Sequence, residues 1–324
     1  MWILFAVLVG VSFLLLVAGA LALLTGLSYT ASVLTVAWLY EVVLPVLGLW
    51  LGEVLPENVI WLGEVLPESV EATVKNFRTA SWLGRQLQSA VQFSTVCRNP
   101  DQKELVLSDS KTYVFAIHPH GLLATSQLCC FMFTPESTVF GKHAKSSTPL
   151  VGNEMLTIPL LSELAIVLGG REATSERIRE ELEAGRSITI VPGGAREIAL
   201  AHENTSTRIV TFRRDGFLRQ AHQYKASVVP CLSLGEHTTH QFEPSWPRLQ
   251  AFFQRYIGHS FPTLAWGRYN SFWPKAGASV QLMALEPMDS TEYASPELFA
   301  EAYYEQLQAA ARERNIELVL RNAK

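Results

Sequence analysis

Residues 112–121 read Thr-Tyr-Val-Phe-Ala-Ile-His-Pro-His-Gly, an apolar, aromatic and β-branched run that ends in two histidines on either side of a proline. That composition predicts a buried strand over Thr112–Ile117. Pro119 fixes its own φ and biases His118 to extended backbone, while Gly121 lets the chain turn sharply into a following helix. A strand that stops at such a corner and feeds a helix is a building unit of an α/β fold. Three chemistries fit the corner: a hydrogen-bonded turn, a neutral imidazole acting as general base toward a hydroxyl, or one half of a metal site in which His118-x-His120 joins His237-x-x-His240. The turn is the simplest reading of the tetrapeptide alone. With eight histidines in the chain, near pairs are common, and Glu236 is the acid beside them; no metal is expected.

The same alternation continues outward from this corner. Short runs at Ser187–Val191, Ser227–Leu232 and Ser279–Leu285 predict further strands, and helices are expected after Gly121 and over Ser175–Ala184, Phe217–Tyr224, Leu249–Ile257 and Pro296–Arg314. Ligands of such folds gather where strands run into turns, which makes two more segments notable. In Ile188–Glu197 a β run ends in Pro-Gly-Gly, and Gly193 and Gly194 would let backbone N–H groups approach an oxyanion or a phosphate. Glu197 comes next, placed to orient a base or to satisfy Arg196; an ordinary turn is the plainer alternative. In Arg213–Ala221, "RRDGFLRQA", the basic residues could hold the phosphates of a coenzyme, or Asp215 and Gly216 could simply start a helix. There is no G-x-S-x-G elbow and no histidine followed five residues later by Asp, so two common acyl-chemistry signatures are missing.

The N-terminal part has a different character. The chain of 324 residues is 48% hydrophobic, and residues 1–52 carry a single charged side chain, Glu41. At about 20 residues per crossing, residues 2–25 and 33–51 predict a transmembrane helical hairpin with a polar joint at Ser28–Ser32. The uncharged start and long apolar run argue against a cleaved signal peptide. A hairpin returns the chain to its starting side, and Lys75, Arg78 and Arg85 favour the cytosol for the residues beyond it. Residues 53–90 are expected to be an amphipathic linker. Within it "WLGEVLPENVI" at 50–60 is followed at once by "WLGEVLPESV" at 61–70, a tandem repeat of eleven residues whose Gly and Pro weaken any helix. A globular domain is then predicted over 91–324. Its four cysteines form no disulfide-like framework, which fits a reducing compartment, and the net charge of −4 speaks against a nucleic-acid partner.

Taken in order, "HPHG" at 118–121, "IPLLSELAIVLGG" at 158–170, "GGARE" at 193–197, "RRDGFLRQA" at 213–221, "VVPCLSLGE" at 228–236, "FFQRYIG" at 252–258 and "GRYNSFWP" at 267–274 resemble the type 2 diacylglycerol O-acyltransferase family, which includes monoacylglycerol and wax-alcohol acyltransferases. The resemblance extends over roughly residues 110–290. It implies an α/β, acyltransferase-like mixed sheet flanked by helices behind the N-terminal transmembrane hairpin. It also implies a multi-pass enzyme of the endoplasmic reticulum membrane with its catalytic domain facing the cytosol, lipid-droplet residence being a further option. Acyl-CoA is then the co-substrate, with no other cofactor. An acylglycerol or a long-chain alcohol is the acceptor, diacylglycerol first; membrane lipid is a neighbour, and a homo-oligomer is an option. Carried over by position, His120 is the catalytic base, with His118 in support and Glu197 as a third catalytic residue. Gly121, Gly193 and Gly194 are candidates for the oxyanion turn, and Arg213, Arg214 and Arg219 for acyl-CoA. The chain departs from the family pattern at Lys225, where glycine is usual in the helix-to-strand turn, at Ser233-Leu234, where an aromatic is typical, and at Leu285. A metal-dependent membrane hydrolase built on His118, His120, His237 and His240 is the alternative of a different class.

Overall fold

The computed structural model describes residues 82–133, 139–157, 165–166, 168–242, 265–268 and 273–322. Its larger compact unit is drawn from residues 71–265 and 274–324. Both predicted membrane spans, the tandem repeat and the expected helix over 249–257 lie outside the described residues. Among the described residues no helix is long and apolar enough to cross a membrane.

Eight described strands form one mixed sheet. In chain order they are β1 (Ser94–Cys97), β2 (Tyr113–His118), β3 (Thr148–Val151), β4 (Arg171–Glu172), β5 (Ile188–Ile190), β7 (Ser227–Leu234), β8 (Gln281–Ala284) and β9 (Met288–Asp289). They lie in the order β1-β8-β7-β2-β5-β3-β4, with β9 added to β7. Strand β6 (Arg208–Arg213) stands apart and pairs in parallel with β10 (Glu317–Asn322). At the centre β7, β2 and β5 are mutually parallel, with His118 opposite Leu232 and Val114 opposite Ile188. Three neighbouring parallel strands therefore deliver their carboxyl ends, and the turns attached to them, to one edge of the sheet.

Side-chain alternation along β2 divides the interior in two. Val114 and Ala116 belong to one buried cluster with Leu218, Phe299, Tyr303 and Leu307, whereas Tyr113, Phe115 and Ile117 belong to another with Phe131, Phe140 and Cys231. This is the period of two expected of a strand buried on both faces. His118 continues the phase of Val114 and Ala116, so it points inward, towards the first cluster.

The helices that cover these faces carry legible start signals. Helix α1 (Trp82–Ala90), from the end of the stretch read as linker, packs on this unit: Gly84 lies against Phe133, and Gln88 Nε2 donates to the Cys129 carbonyl at 2.9 Å. After Gly121 comes a single helical turn, α2 (Thr125–Gln127), that widens into a π-turn over Leu128–Met132. Thr174 accepts from the Arg177 amide and caps α3 (Ser175–Glu183). Helix α4 (Ala195–Ala199) follows Gly194, α5 (Gly216–Gln223) follows Asp215, and α6 (Glu236–Thr239) follows Gly235. Ser295 caps α7 (Pro296–Glu313), which has proline in its first turn and buries Phe299, Ala300, Tyr303, Tyr304, Leu307, Ala310 and Ala311 at helical spacing. Burying a phenylalanine or leucine of that stripe contributes roughly 1.5–3 kcal/mol, so α7 is anchored by its apolar face and its two tyrosines are placed with it.

Candidate functional site

The turns at the carboxyl ends of β2, β5 and β7 carry His118–Gly121, Gly193–Glu197 and Glu236 respectively. The peptide bond between His118 and Pro119 is cis. His118 is wholly buried, with both ring nitrogens engaged: Nδ1 lies 2.9 Å from Thr211 Oγ1, and Nε2 lies 3.0 Å from the Tyr303 hydroxyl. The Thr211 hydroxyl donates to Glu197 Oε1, so it can only accept from His118. That fixes the Nδ1 end of the ring as a donor, and with one ring proton the chain runs in a single direction. Tyr303 O–H donates to His118 Nε2, His118 Nδ1–H donates to Thr211, and Thr211 donates to Glu197. His118 is a link in a closed buried network with both ring nitrogens engaged, and neither can serve a metal or a substrate without breaking it.

Glu197 collects three donors from two segments, β6 and the turn after β2. Oε1 also accepts from the Phe212 amide at 3.1 Å, and Oε2 accepts from the His120 amide at 2.7 Å. Burial pushes the carboxyl up, but the nearby imidazole of His118, the Thr211 hydroxyl and the His120 ring outweigh it and hold Glu197 below its ordinary value. It is an ionised carboxylate whose role is to tie the His120 backbone to β6. Gly193 serves this arrangement directly, because a Cβ there would run into the Glu197 side chain. The Gly194 amide donates to the Val191 carbonyl at 3.2 Å, so it closes its own turn.

His120 lies at the rim and is only partly buried. Its Nδ1 is 3.0 Å from the Gly121 carbonyl, and a carbonyl can only accept. Nδ1 therefore carries the proton of the neutral ring and Nε2 carries the basic lone pair. Gly121 adopts φ +62, in the left-handed region, and a Cβ there would sit 2.6 Å from Glu236 Oε2. A side chain at 121 is thus opposed by backbone and by packing alike.

The predicted coenzyme cluster divides. Arg213 is held by Glu301, 2.7 Å from Nη2, and by Asp215, 3.3 Å from Nε, with its guanidinium carbon 5.1 Å from the Tyr304 ring centre. Arg214 is fixed through its backbone, its amide donating to the Tyr304 hydroxyl at 2.7 Å and its carbonyl accepting from it at 3.0 Å. The side chains of Arg214 and Arg219 are exposed. Among the described residues no group of three or more His, Cys, Asp or Glu is arranged to hold a metal ion, and His240 is buried with Nδ1 2.9 Å from its neighbour Thr239.

Thr211, Tyr303 and Tyr304 belong to none of the motifs read in the sequence. Two signals bear on them: a tyrosine pair inside an apolar helical stripe needs partners for its buried hydroxyls, and Arg208–Arg213, "RIVTFR", is β-branched and aromatic enough for a strand.

Residues 91–278 match the family model described as diacylglycerol acyltransferase. Diacylglycerol O-acyltransferase 2-like protein 6 of Homo sapiens is 31% identical over 171 residues, covering 48% of this chain and 50% of that protein. Diacylglycerol O-acyltransferase 2 of Bos taurus is 31% identical over 175 residues, 50% of this chain and 46% of the relative. Acyl-CoA wax alcohol acyltransferase 2 of Mus musculus is 27% identical over 172 residues, 50% of each. The matched part of the chain spans about half the length of these relatives. Among solved structures, the 1-acyl-sn-glycerophosphate acyltransferase PlsC from Thermotoga maritima superposes with a TM-score of 0.46 at 15% identity, covering 86% of this chain and 91% of that one. The matched residues 91–278 contain the His120 corner, Glu197 and Glu236, and the chain belongs to the diacylglycerol acyltransferase family.

Proposed function

We propose that the chain is an acyl-CoA dependent O-acyltransferase of neutral-lipid synthesis, acting on diacylglycerol to give triacylglycerol, with His120 as general base. The observation that carries this is the Nδ1 contact of His120 with the Gly121 carbonyl, which leaves Nε2 as the basic atom of a rim histidine. Nε2 takes the proton of the acceptor hydroxyl as its oxygen bonds to the thioester carbonyl carbon. The tetrahedral oxyanion then collapses, the carbon–sulfur bond breaks, and the CoA thiolate leaves and recovers a proton from the His120 imidazolium. Backbone amides around Gly121 and Gly193 are the candidates to receive the oxyanion. Glu197 holds the His120 amide and is a positioning residue, and His118 supports Glu197 through Thr211. Arg214 and Arg219, exposed beside the start of α5, are better suited than Arg213 to coenzyme phosphates.

Membrane residence is supported by the apolar composition of residues 1–52, and an endoplasmic-reticulum membrane with this unit on the cytosolic face is the corresponding location. Microsomes containing the wild type or His120→Ala, given labelled acyl-CoA and separate diacylglycerol, monoacylglycerol and long-chain alcohol acceptors, test the reading. Wild-type transfer to diacylglycerol, abolished in the mutant, is expected. Transfer only to another acceptor reassigns the substrate. Full activity of the mutant removes His120 as base, and wild type inert toward all acceptors removes the transferase reading.

A further inference from the structure

Glu236 begins α6 at the carboxyl end of β7 and is 1% exposed. Its Oε1 accepts from the Ser126 amide at 3.0 Å and from the Ser233 hydroxyl at 2.9 Å, and those two serine hydroxyls lie 2.5 Å apart. Among the described residues its Oε2 has no hydrogen-bond partner, and neither has the buried Thr125 hydroxyl oxygen. This carboxyl occupies the space that the missing side chain of Gly121 leaves: a Cβ there would meet Oε2 at 2.6 Å and both Cβ and Cδ of Glu236 at 3.1 Å. Gly121 is the residue whose carbonyl receives His120 Nδ1. From Glu236 the contacts thus run to Gly121 and from there to the His120 ring, while Glu197 reaches the same corner through the His120 amide.

The two glutamates differ in kind. Glu197 has donors on both oxygens; among the described residues Glu236 has donors of normal hydrogen-bond geometry on Oε1 alone, with Thr125 facing it more loosely, and it forms no salt bridge. Burial pushes its carboxyl up to about 7, with the Ser126 amide, the Ser233 hydroxyl and Thr125 pulling the other way. Around it, α2 presents Thr125 and Ser126, β7 presents Ser233 and the π-turn presents Cys129. That thiol is itself pushed well up, by burial first and by Glu236 second, and stays neutral. An ionised Glu236 would bury a half-paired charge.

Resting on the reading of His120 as the transferase base, we propose that Glu236 is a second positioning residue of the acyl-transfer site, filling the hollow beside Gly121 and tethering Ser126 so that the corner aims the His120 ring. It does so as the neutral acid, and ionisation loosens the corner. The acid limb of the rate profile then belongs to His120, which must lose its proton to act. The alkaline limb belongs to Glu236, whose raised value makes the favoured form abundant below about 7 and scarce above it.

The test uses the full-length enzyme in microsomes, with kcat and KM for labelled acyl-CoA measured across pH for wild type, Glu236→Gln, Glu236→Ala and Ser233→Ala. Glu236→Gln keeps the shape and cannot ionise, so its kcat should not fall above about pH 7 where that of the wild type does, and the alkaline limb should be lost. Glu236→Ala should lower kcat by roughly 10- to 100-fold at all pH with KM little changed, the scale of a misaimed catalytic group. Ser233→Ala removes a donor that favours the ionised form and should move the alkaline limb to higher pH; it serves as the deciding variant if Glu236→Ala does not fold. An alkaline limb unmoved in both Glu236→Gln and Ser233→Ala, or wild-type kcat in Glu236→Ala, overturns the proposal while leaving the transferase reading intact. A wild type without transferase activity takes both down.

Discussion

The two ends of the parallel strands β2, β5 and β7 are built differently. At their carboxyl ends the turns bring together His118, His120, Glu197 and Glu236, with hydrogen bonds tying them to one another and to β6 and α2. At their amino ends the contacts are those of a frame: the Ser187 hydroxyl receives the Tyr113 amide at 3.0 Å, the Ser227 amide meets the Thr112 carbonyl at 2.9 Å, and Gly185 and Lys225 end the helices that lead into β5 and β7. The difference implies a division of labour. Changes at the carboxyl edge should alter turnover, and changes at the amino edge should alter stability alone. The same division recurs inside the carboxyl edge, where His118 is closed into the interior and His120 sits at the rim.

The sharpest way to break this comparison is His120→Ala. Loss of a general base should lower kcat by about 10³-fold, with thermal unfolding changed far less than turnover because His120 is only partly buried. A mutant that unfolds early instead would make His120 part of the frame. Glu197→Gln comes next. The carboxylate accepts from His120 N on one oxygen and from Thr211 and Phe212 N on the other, while an amide has only one oxygen. Its NH₂ must face donors on one side, so we expect about a 100-fold fall in kcat from a displaced His120 together with a loss of roughly 1–3 kcal/mol. Steady-state kinetics read beside a melting curve separates the two effects.

Tyr303→Phe probes the interior half. It removes the hydroxyl that donates to His118 Nε2 and leaves a buried acceptor unpaired, which should cost about 1–3 kcal/mol. His120 is not its partner, so kcat should stay within a few-fold of wild type. A fall as deep as that of Glu197→Gln would mean that the buried chain from Tyr303 to Glu197 acts in catalysis as one unit.

How much of this is legible in the sequence depends on the range of each interaction. Strand β2, the Gly-Gly turn after β5 and the apolar stripe of α7 are local patterns, and each is visible in a window of a dozen residues. The inward phase of His118 is within reach too: extending the strand by one residue puts it in register with Val114 and Ala116. Thr211 and Tyr303 are not, because β6 finds its partner β10 about a hundred residues later in the chain and nothing in "RIVTFR" says that its threonine will meet a histidine from β2. The division of the arginines is equally hidden, since the acid that holds Arg213 comes from α7. The departure at Lys225, by contrast, is visible as a sequence anomaly and has a backbone meaning.

Four helices of this unit end alike. After each, one residue turns into the left-handed region and the next amide bonds back into the last turn: Gln92 before Phe93, Gly185 before Arg186, Lys225 before Ala226, and Asn315 before Ile316. This is the Schellman arrangement, which glycine fits without strain and asparagine tolerates. Lys225, at φ +55, and Gln92, at φ +45, have neither advantage; both are exposed. A left-handed non-glycine residue costs about 1–2 kcal/mol, whereas glycine loses about 0.5–1 kcal/mol more backbone entropy on folding. The strain is the larger of the two, so Lys225→Gly should stabilise the unit by about 0.5 kcal/mol and raise its melting temperature by roughly 1–2 °C, and Gln92→Gly should do the same. Because the Lys225 turn lies at the amino end of β7, kcat should not move. Any change in turnover from Lys225→Gly would mean that strain at one end of the strand reaches Glu236 at the other, and the division between the two edges would fail.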